Sequence, residues 1–388
     1  MNHLQNGVLQ LIAAAVTESH RDIPTDLDWA EVATLGHRHK ILPLLYYGVL
    51  QTGAVVPPDI LQALQVRTFR QVVVSQNQQI ALDALFAAFD AAGIAYMPLK
   101  GTLLKPLYPK SEMRSMGDAD VLIQLDQYDR IKEILPTLGL TEGAESDHEL
   151  IWRSPVLYLE LHKRLIPSYN KDYFAYYGNG WQLAKMCEGS RYSMTDEDQL
   201  IYLFTHFAKH YRDGGIGIKH MVDLWVYRRH KPDLDEAYIA KELKSLQLYT
   251  FYTHICRTLA VWFEGAEADA HTDLITDFVF GSGEFGLHQN HVLSDGVKLS
   301  QSGGNAKTRK AIQLVFLPYP NMCEKYPWLR KVPFLLPVMW VWRIATILLF
   351  KGDRIKKHKD NLDQMKAEDI QNYGDALHFV GLDFHFEE

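Results

Sequence analysis

Asp118 and Asp120 stand one residue apart at the front of the run DADVLIQL. In a strand, alternate side chains share a face, so the two carboxylates would point the same way while Ala119 and Val121 point into the sheet. Carboxylates held side by side repel one another unless a cation sits between them. Taken alone, such a pair also serves as a helix cap or a solvated strand edge. A third acid changes the weighing: Glu160 interrupts the apolar run VLYLELH, sharing a face with Tyr158 and His162 opposite Leu157, Leu159 and Leu161. A carboxylate among leucines is costly unless it meets a cation or a hydrogen-bond donor. Three carboxylates converging from adjacent strands would make an oxygen cage suited to Mg²⁺, which keeps waters and borrows further ligands from substrate phosphates. Upstream, the turn at Gly101 could bring backbone N–H groups and the Thr102 hydroxyl close to those phosphates. These parts together suggest phosphoryl or nucleotidyl transfer.

Positioning those residues requires a particular order of elements. The stretch from Pro58 to Gly93 reads as a long helix, with Ile60, Leu64, Val66, Phe69, Leu82, Leu85, Phe86 and Phe89 at helical spacings and Gly93 as its stop. IAYMPL then reads as a strand, TLLKPLY as a short helix closed by Pro109, and DADVLIQL as a second strand. DQYDRIKEILPTLG reads as a helix with Asp126 as N-cap and Gly139 as its end. HELIWRS and VLYLELHKRL follow as two strands joined by a turn at Ser154 and Pro155. From Thr195 onward helical patterns return, and residues 281–307, rich in Gly, Ser, Asn and Asp, read as a long loop. The expected architecture is α+β: an N-terminal helical segment over 1–92, a small mixed-sheet α/β module over 93–190, and a C-terminal helical domain over 191–388.

Composition sets outer bounds. The 388 residues are 47% hydrophobic and 22% charged, ordinary for a packed globular protein, and the net charge of −7 argues against a chain that coats nucleic acid, so no nucleic-acid partner is expected. Cys187, Cys256 and Cys323 are scattered and odd in number, which fits a reducing cytoplasm better than a disulfide framework. GVLQLIAAAV near the N-terminus lacks the basic start and cleavage site of a signal peptide and reads as an amphipathic first helix.

LKG followed by LYP, then RSMGDADVLI, then a strand ending ELH, resembles the bacterial family described as uncharacterised nucleotidyltransferases, within the DNA polymerase β-like nucleotidyltransferase superfamily. FTHFAKHYRDGGIGIKHMVDL, FGSGEFG and YPWLRKVPFLLPVMWVWR resemble it as well. The resemblance implies a Mg²⁺-dependent enzyme, Mn²⁺ being the substitute ion, that moves a nucleoside monophosphate from a nucleoside triphosphate to an acceptor hydroxyl. It implies that Asp118 and Asp120 hold the metal ions, and that Glu160 shares a metal and acts as base toward the acceptor. It also implies that Gly101 and Thr102 approach the triphosphate, with Lys100 and Arg114 as counter-charges, although either cation could equally be a solvated surface charge. The turn carries Gly-Thr where the superfamily usually shows Gly-Ser, and a threonine hydroxyl can replace that donor. Lys219, with His206, Lys209, His210 and Asp223, lies in the helical region that in this family borders the cleft.

Other signals have plainer explanations. His206 and His210 stand at i and i+4, a metal-ligating spacing, but no acid lies between them as in the zinc-protease motif. VPFLLPVMWVWRIATILLF, residues 332–350, nearly reaches the length of a membrane span but is broken by two prolines and Arg343, and a basic run follows to Lys359. A buried C-terminal helix is the favoured reading, with peripheral membrane contact through 332–359 as the alternative. Two further readings of the whole chain stand beside the enzyme: a catalytically inactive nucleotide-binding scaffold, and a membrane-peripheral accessory protein of envelope polysaccharide synthesis.

Overall fold

The computed structural model describes residues 1–284, 286–301, 308, 310, 312, 316–350 and 366–383. The chain begins with four helices: α1 (His3–Thr17), α2 (Trp29–Arg38), α3 (Leu42–Thr52) and α4 (Pro58–Ala92). Proline at the start of α4 has no N–H to waste, and Gly93, at φ 62°, closes the helix by donating to the Asp90 and Phe89 carbonyls. Of the apolar positions expected on α4, Leu64, Leu82, Leu85 and Phe89 are buried, whereas Val66 and Phe69 are exposed. The helix is therefore half core and half surface along its length.

Seven strands make one mixed sheet in the order β3-β4-β5-β2-β1-β7-β6. They are β1 (Tyr96–Pro98), β2 (Ala119–Ile123), β3 (Thr141–Glu145), β4 (Glu149–Arg153), β5 (Tyr158–His162), β6 (Lys185–Glu188) and β7 (Arg191–Ser193). β1 is antiparallel to β2, β2 is parallel to β5, and β1 is parallel to β7. Between strands lie α5 (Lys100–Leu104), α6 (Tyr128–Ile134) and α7 (Lys171–Tyr177). One face of the sheet is apolar: Ala119, Val121, Ile123, Leu150, Trp152, Leu159 and Leu161 pack with Leu82, Leu85 and Phe89 of α4 and with Ile131 and Leu135. Each fully buried leucine or phenylalanine there contributes about 1.5–3 kcal/mol of transfer free energy, which fixes the register and leaves alternate residues to the other face.

The strands expected around Asp118, Asp120 and Glu160 are all present. Asp126 departs from expectation: it lies in a short 3-10 turn, and α6 has no side-chain cap. Residues 281–307 also differ from the expected loop, since a helix occupies His288–Gln301, and 302–307 lie outside the described residues.

Two compact units divide the chain. The first takes 1–209 and 216–284, with the sheet, most of α8 (Asp196–Asp213), and α9 (Ile218–His230), α10 (Glu236–Ser245), α11 (Tyr249–Phe263) and α12 (Ala270–Ser282). The second takes 210–215 and 285–384, with α13 (His288–Gln301), α14 (Tyr319–Lys325), α15 (Leu336–Phe350) and α16 (Ala367–Phe379). Met322, Cys323, Leu329 and Met339 form a small core in the second unit. α15 is not wholly buried as favoured from the sequence: Met339 and Arg343 face inward while Val338, Val341 and Trp342 are exposed. The basic residues after it, 351–359, lie outside the described residues. Among the described residues no helix is long and apolar enough to cross a membrane.

Candidate active site

β2 and β5 run side by side in a register that sets Asp120 opposite Glu160 and Leu122 opposite His162. β4 adds Ile151 opposite Glu160 and Glu149 opposite His162. Registered neighbours share a face, so Asp120, Glu160, His162 and Glu149 all rise from the side of the sheet away from the α4 core. Asp118, one residue before β2, is exposed.

Asp120 is 3% exposed and is the hub of the group. Lys100 Nζ donates to its Oδ1 at 2.6 Å, and His162 Nε2 lies 2.8 Å from the same oxygen. Glu160 Oε2 is 3.7 Å from His162 Nε2. Burial opposes ionisation of Asp120, but Lys100 and His162 outweigh it and hold its carboxyl below the usual carboxylate range. Glu160 goes the other way: burial, then the charges of Asp120, Asp118 and Glu149, push it up to about 8. Asp118 keeps part of its surface open to solvent, yet desolvation of its carboxyl by the crowded neighbours, followed by the Asp120 charge, raises it as well. Lys100 alone does not balance these acids, so the site favours an added cation.

Asp120, Glu160 and His162 each offer a ligand atom within 4.8 Å of the others, the group among the described residues able to hold a metal ion. Two carboxylates are the hard oxygen donors that Mg²⁺ or Mn²⁺ takes. His162 fits a different task. Burial and the Lys100 charge lower its pKa, which keeps the ring neutral, and its Nδ1 is buried with no hydrogen-bond partner among the described residues. A metal-bound imidazole almost always donates its other N–H to an acceptor; among the described residues Nδ1 meets none, whereas Nε2 faces Asp120, so the geometry favours His162 as the Nε2–H donor that orients Asp120.

Lys100 sits on backbone at φ 42°, a left-handed conformation that costs a residue with a side chain about 1–3 kcal/mol. Gly101 follows because nothing larger fits: a Cβ there would lie 2.5 Å from Arg114 Nη1 and 3.2 Å from the Met116 side chain. Thr102 Oγ1 makes a weak contact with Met116 Sδ at 3.9 Å.

Neither Arg114 nor Lys219 is a solvated charge. Arg114 donates through Nε and Nη2 to the two carboxylate oxygens of Asp223 at 3.2 and 3.0 Å, and the Tyr108 hydroxyl donates to Asp223 Oδ1 at 2.7 Å. Lys219 is paired with Glu284, and burial followed by the Arg114 charge lowers its pKa. Its charge still acts on Asp118. His206 lies with its ring 6.5 Å from that of Tyr202, Lys209 is on the same helix, and His210 belongs to the second unit. The described residues bring neither histidine into a metal-ligating group.

Sequence reasoning did not single out three residues of this site. His162 was legible as the i+2 neighbour of Glu160 on one strand face. Glu149 lies across β4 and needed the strand register to be found. Tyr202, on α8, has a buried hydroxyl with no hydrogen-bond partner among the described residues, and the charges of Lys100, Asp120 and Glu160 all act on it. Nothing in its helical spacing separates it from a core tyrosine.

A strand pair carrying spaced acids, a strained turn beside them and flanking helices together make an α+β nucleotidyltransferase-like module. Residues 25–264 match the family described as uncharacterised nucleotidyltransferase, and the chain belongs to that family. The match includes α2 to α4 and α8 to α11, while α1, FGSGEFG and YPWLRKVPFLLPVMWVWR lie outside it. No curated protein and no solved structure matches the chain.

Proposed function

We propose that the protein is a Mg²⁺-dependent nucleotidyltransferase that moves a nucleoside monophosphate from a nucleoside triphosphate to the hydroxyl of a small molecule, sugar or protein. The observation that carries this reading is the register of β2 and β5, which pairs Asp120 with Glu160 on the polar face of the sheet, with Asp118 in the bend just before β2. Asp118, Asp120 and Glu160 would hold the ion, with Mn²⁺ as its substitute, and the bound ion supplies Lewis-acid stabilisation of the charge developing on the phosphates.

The acceptor oxygen bonds to the α-phosphorus as the bond from that phosphorus to the bridging oxygen breaks, and pyrophosphate leaves. Glu160 takes the acceptor's proton; burial and the neighbouring acids raise the proton affinity of its carboxyl in the metal-free site, which suits a base. His162 holds Asp120 in one orientation. Lys100, Gly101 and Thr102 approach the triphosphate, while Arg114 and Lys219 add positive potential behind the turn and stay paired with Asp223 and Glu284. The same reading keeps the protein in a reducing cytoplasm, in line with its three free cysteines.

The test is calorimetric titration of ATP, GTP, CTP and UTP with and without Mg²⁺, on wild type and on the Asp118→Asn/Asp120→Asn variant. Selective, metal-dependent binding lost in the variant is expected. Binding indifferent to metal and to both substitutions would sink the assignment.

A further inference from the structure

Two adjoining cavities, of about 610 and about 200 Å³, lie between the end of α2 and the flank of α4 and share His37, Lys40, Leu42 and Arg67. Arg70 and Ser115 line the smaller one. Their combined size is that of a small-molecule site. The floor is apolar, formed by Ala33, Leu42, Ala63 and Leu64, and the rim is cationic, with no acidic residue lining either cavity. The side chains of His37, Lys40, Arg67 and Arg70 are exposed, and none makes a hydrogen bond or ion pair among the described residues.

Cations in the last turn of a helix have an ordinary explanation, since they complement its negative end. That covers His37 and Lys40 at the end of α2, but Arg67 and Arg70 come from the interior of α4, where no such field exists. Lys40 adds a second observation. It occupies the left-handed position that ends α2, at φ 57°, with Lys40 N–H bonded to the His37 carbonyl and Ile41 N–H to the Gly36 carbonyl. This is the helix end at which glycine is strongly preferred. The chain carries a lysine there against that preference, and its ammonium belongs to the groove.

The groove reaches the catalytic loop. Ser115 lines it and donates its hydroxyl to the Lys40 carbonyl at 3.1 Å. Ser115 is three residues before Asp118, so their Cα atoms are within about 11 Å. We propose that this groove binds an organic phosphate, its phosphate on Lys40, Arg67 and Arg70 and its carbon body on Leu42 and Leu64.

Phenyl phosphate, which joins a phosphate to an apolar ring, is the probe, titrated calorimetrically in EDTA with phenol as the control. Wild type is expected to bind phenyl phosphate and not phenol, with affinity falling as salt rises and falling about tenfold or more in Arg67→Ala/Arg70→Ala. Lys40→Gly separates ligand binding from folding: it should weaken phenyl phosphate while raising the melting temperature, because glycine relieves the left-handed backbone. Binding is also expected to persist in the presence of Mg²⁺ and a non-hydrolysable nucleoside triphosphate. No binding at millimolar concentration, binding unchanged in the double variant, or displacement by the nucleotide would overturn the groove as a separate phosphate site. Mg²⁺-dependent nucleotide binding, measured in the same Arg67→Ala/Arg70→Ala protein, reports on the catalytic reading by itself, so failure of one is visible without failure of the other.

Discussion

Arg114 and Asp223, 109 positions apart in sequence, close on each other through two parallel hydrogen bonds, with each side chain less than a tenth exposed. The pair ties the loop that leads into Asp118 to helix α9. Burial works against the Arg114 charge, but Asp223 outweighs it and raises the guanidinium pKa further. Removing one partner of such a pair leaves a buried charge uncompensated, at about 3–5 kcal/mol. Asp223→Ala should therefore unfold at much lower temperature, whereas Arg114→Leu/Asp223→Leu should lose less than the sum of the single variants. Additive losses in the thermal melts would mean that the pair does not couple.

Gly101→Ala tests the close approach of the turn to Arg114. The added methyl must displace a guanidinium that Asp223 already holds, so a loss of about 1–3 kcal/mol is expected, together with weaker nucleotide binding. A melting temperature equal to wild type would show that the turn has room to spare.

The three acids should separate under conservative substitution. Asp118 is exposed, so Asp118→Asn should stay within about 0.5 kcal/mol of wild-type stability while transfer is lost. Asp120→Asn removes the charge that both Lys100 and His162 meet, and should cost about 1–3 kcal/mol as well as activity. Glu160→Gln should slow transfer by about 10²–10⁴, yet raise the melting temperature of metal-free protein at pH 8, because it relieves repulsion from Asp120, Asp118 and Glu149. Circular dichroism melts beside a pyrophosphate-release assay read all three.

His39 sets an acid limit on the fold. It is fully buried, accepts from Ile218 N–H through Nδ1 and faces the Phe280 carbonyl through Nε2, so the neutral ring suits the site. Burial lowers its pKa from 6.5 to about 4, against the pull of the Phe280 carbonyl. Between those values the unfolded chain holds a proton that the folded chain refuses. The stabilisation is complete above about pH 6.5, is lost as pH falls to about 4, and amounts to about 3 kcal/mol. His39→Gln should flatten that part of the stability curve; an unchanged slope in denaturant titrations across pH 4–7 would assign it to other groups.

Where local chemistry and tertiary packing agreed, the chain could be read directly. β1, β2, β4 and β5 are apolar runs punctuated by glycine, proline or serine, and the shared face of Asp120 and Glu160 follows from strand alternation and register, whereas Asp118 lies in the bend before β2. β3, β6 and β7 carry TEGAE, KMCE and RYS, mostly exposed residues whose strand state comes from a neighbour across the ladder. Residues 288–301 carry loop-like Asn, Ser, Asp and Gly, yet bury Val292, Leu293 and Val297, so packing overrides propensity there. Arg114 and Lys219 could be picked out as cations but not as paired ones, because Asp223 and Glu284 reach them from distant elements. His162 could be set beside Glu160 by strand alternation, whereas Tyr202 needed coordinates, since a tyrosine on a helix has many ordinary uses.

The parallel pairing of β1 with β7 bears on how the protein is made. As the chain leaves the ribosome, all three acids emerge by residue 160, but β1 keeps one unpaired edge until Arg191–Ser193 has followed, and such an edge invites pairing with other chains. Arg114 waits longer still for Asp223. A nascent chain stalled between those points holds every acid of the site and lacks the fixed charge that positions its loop.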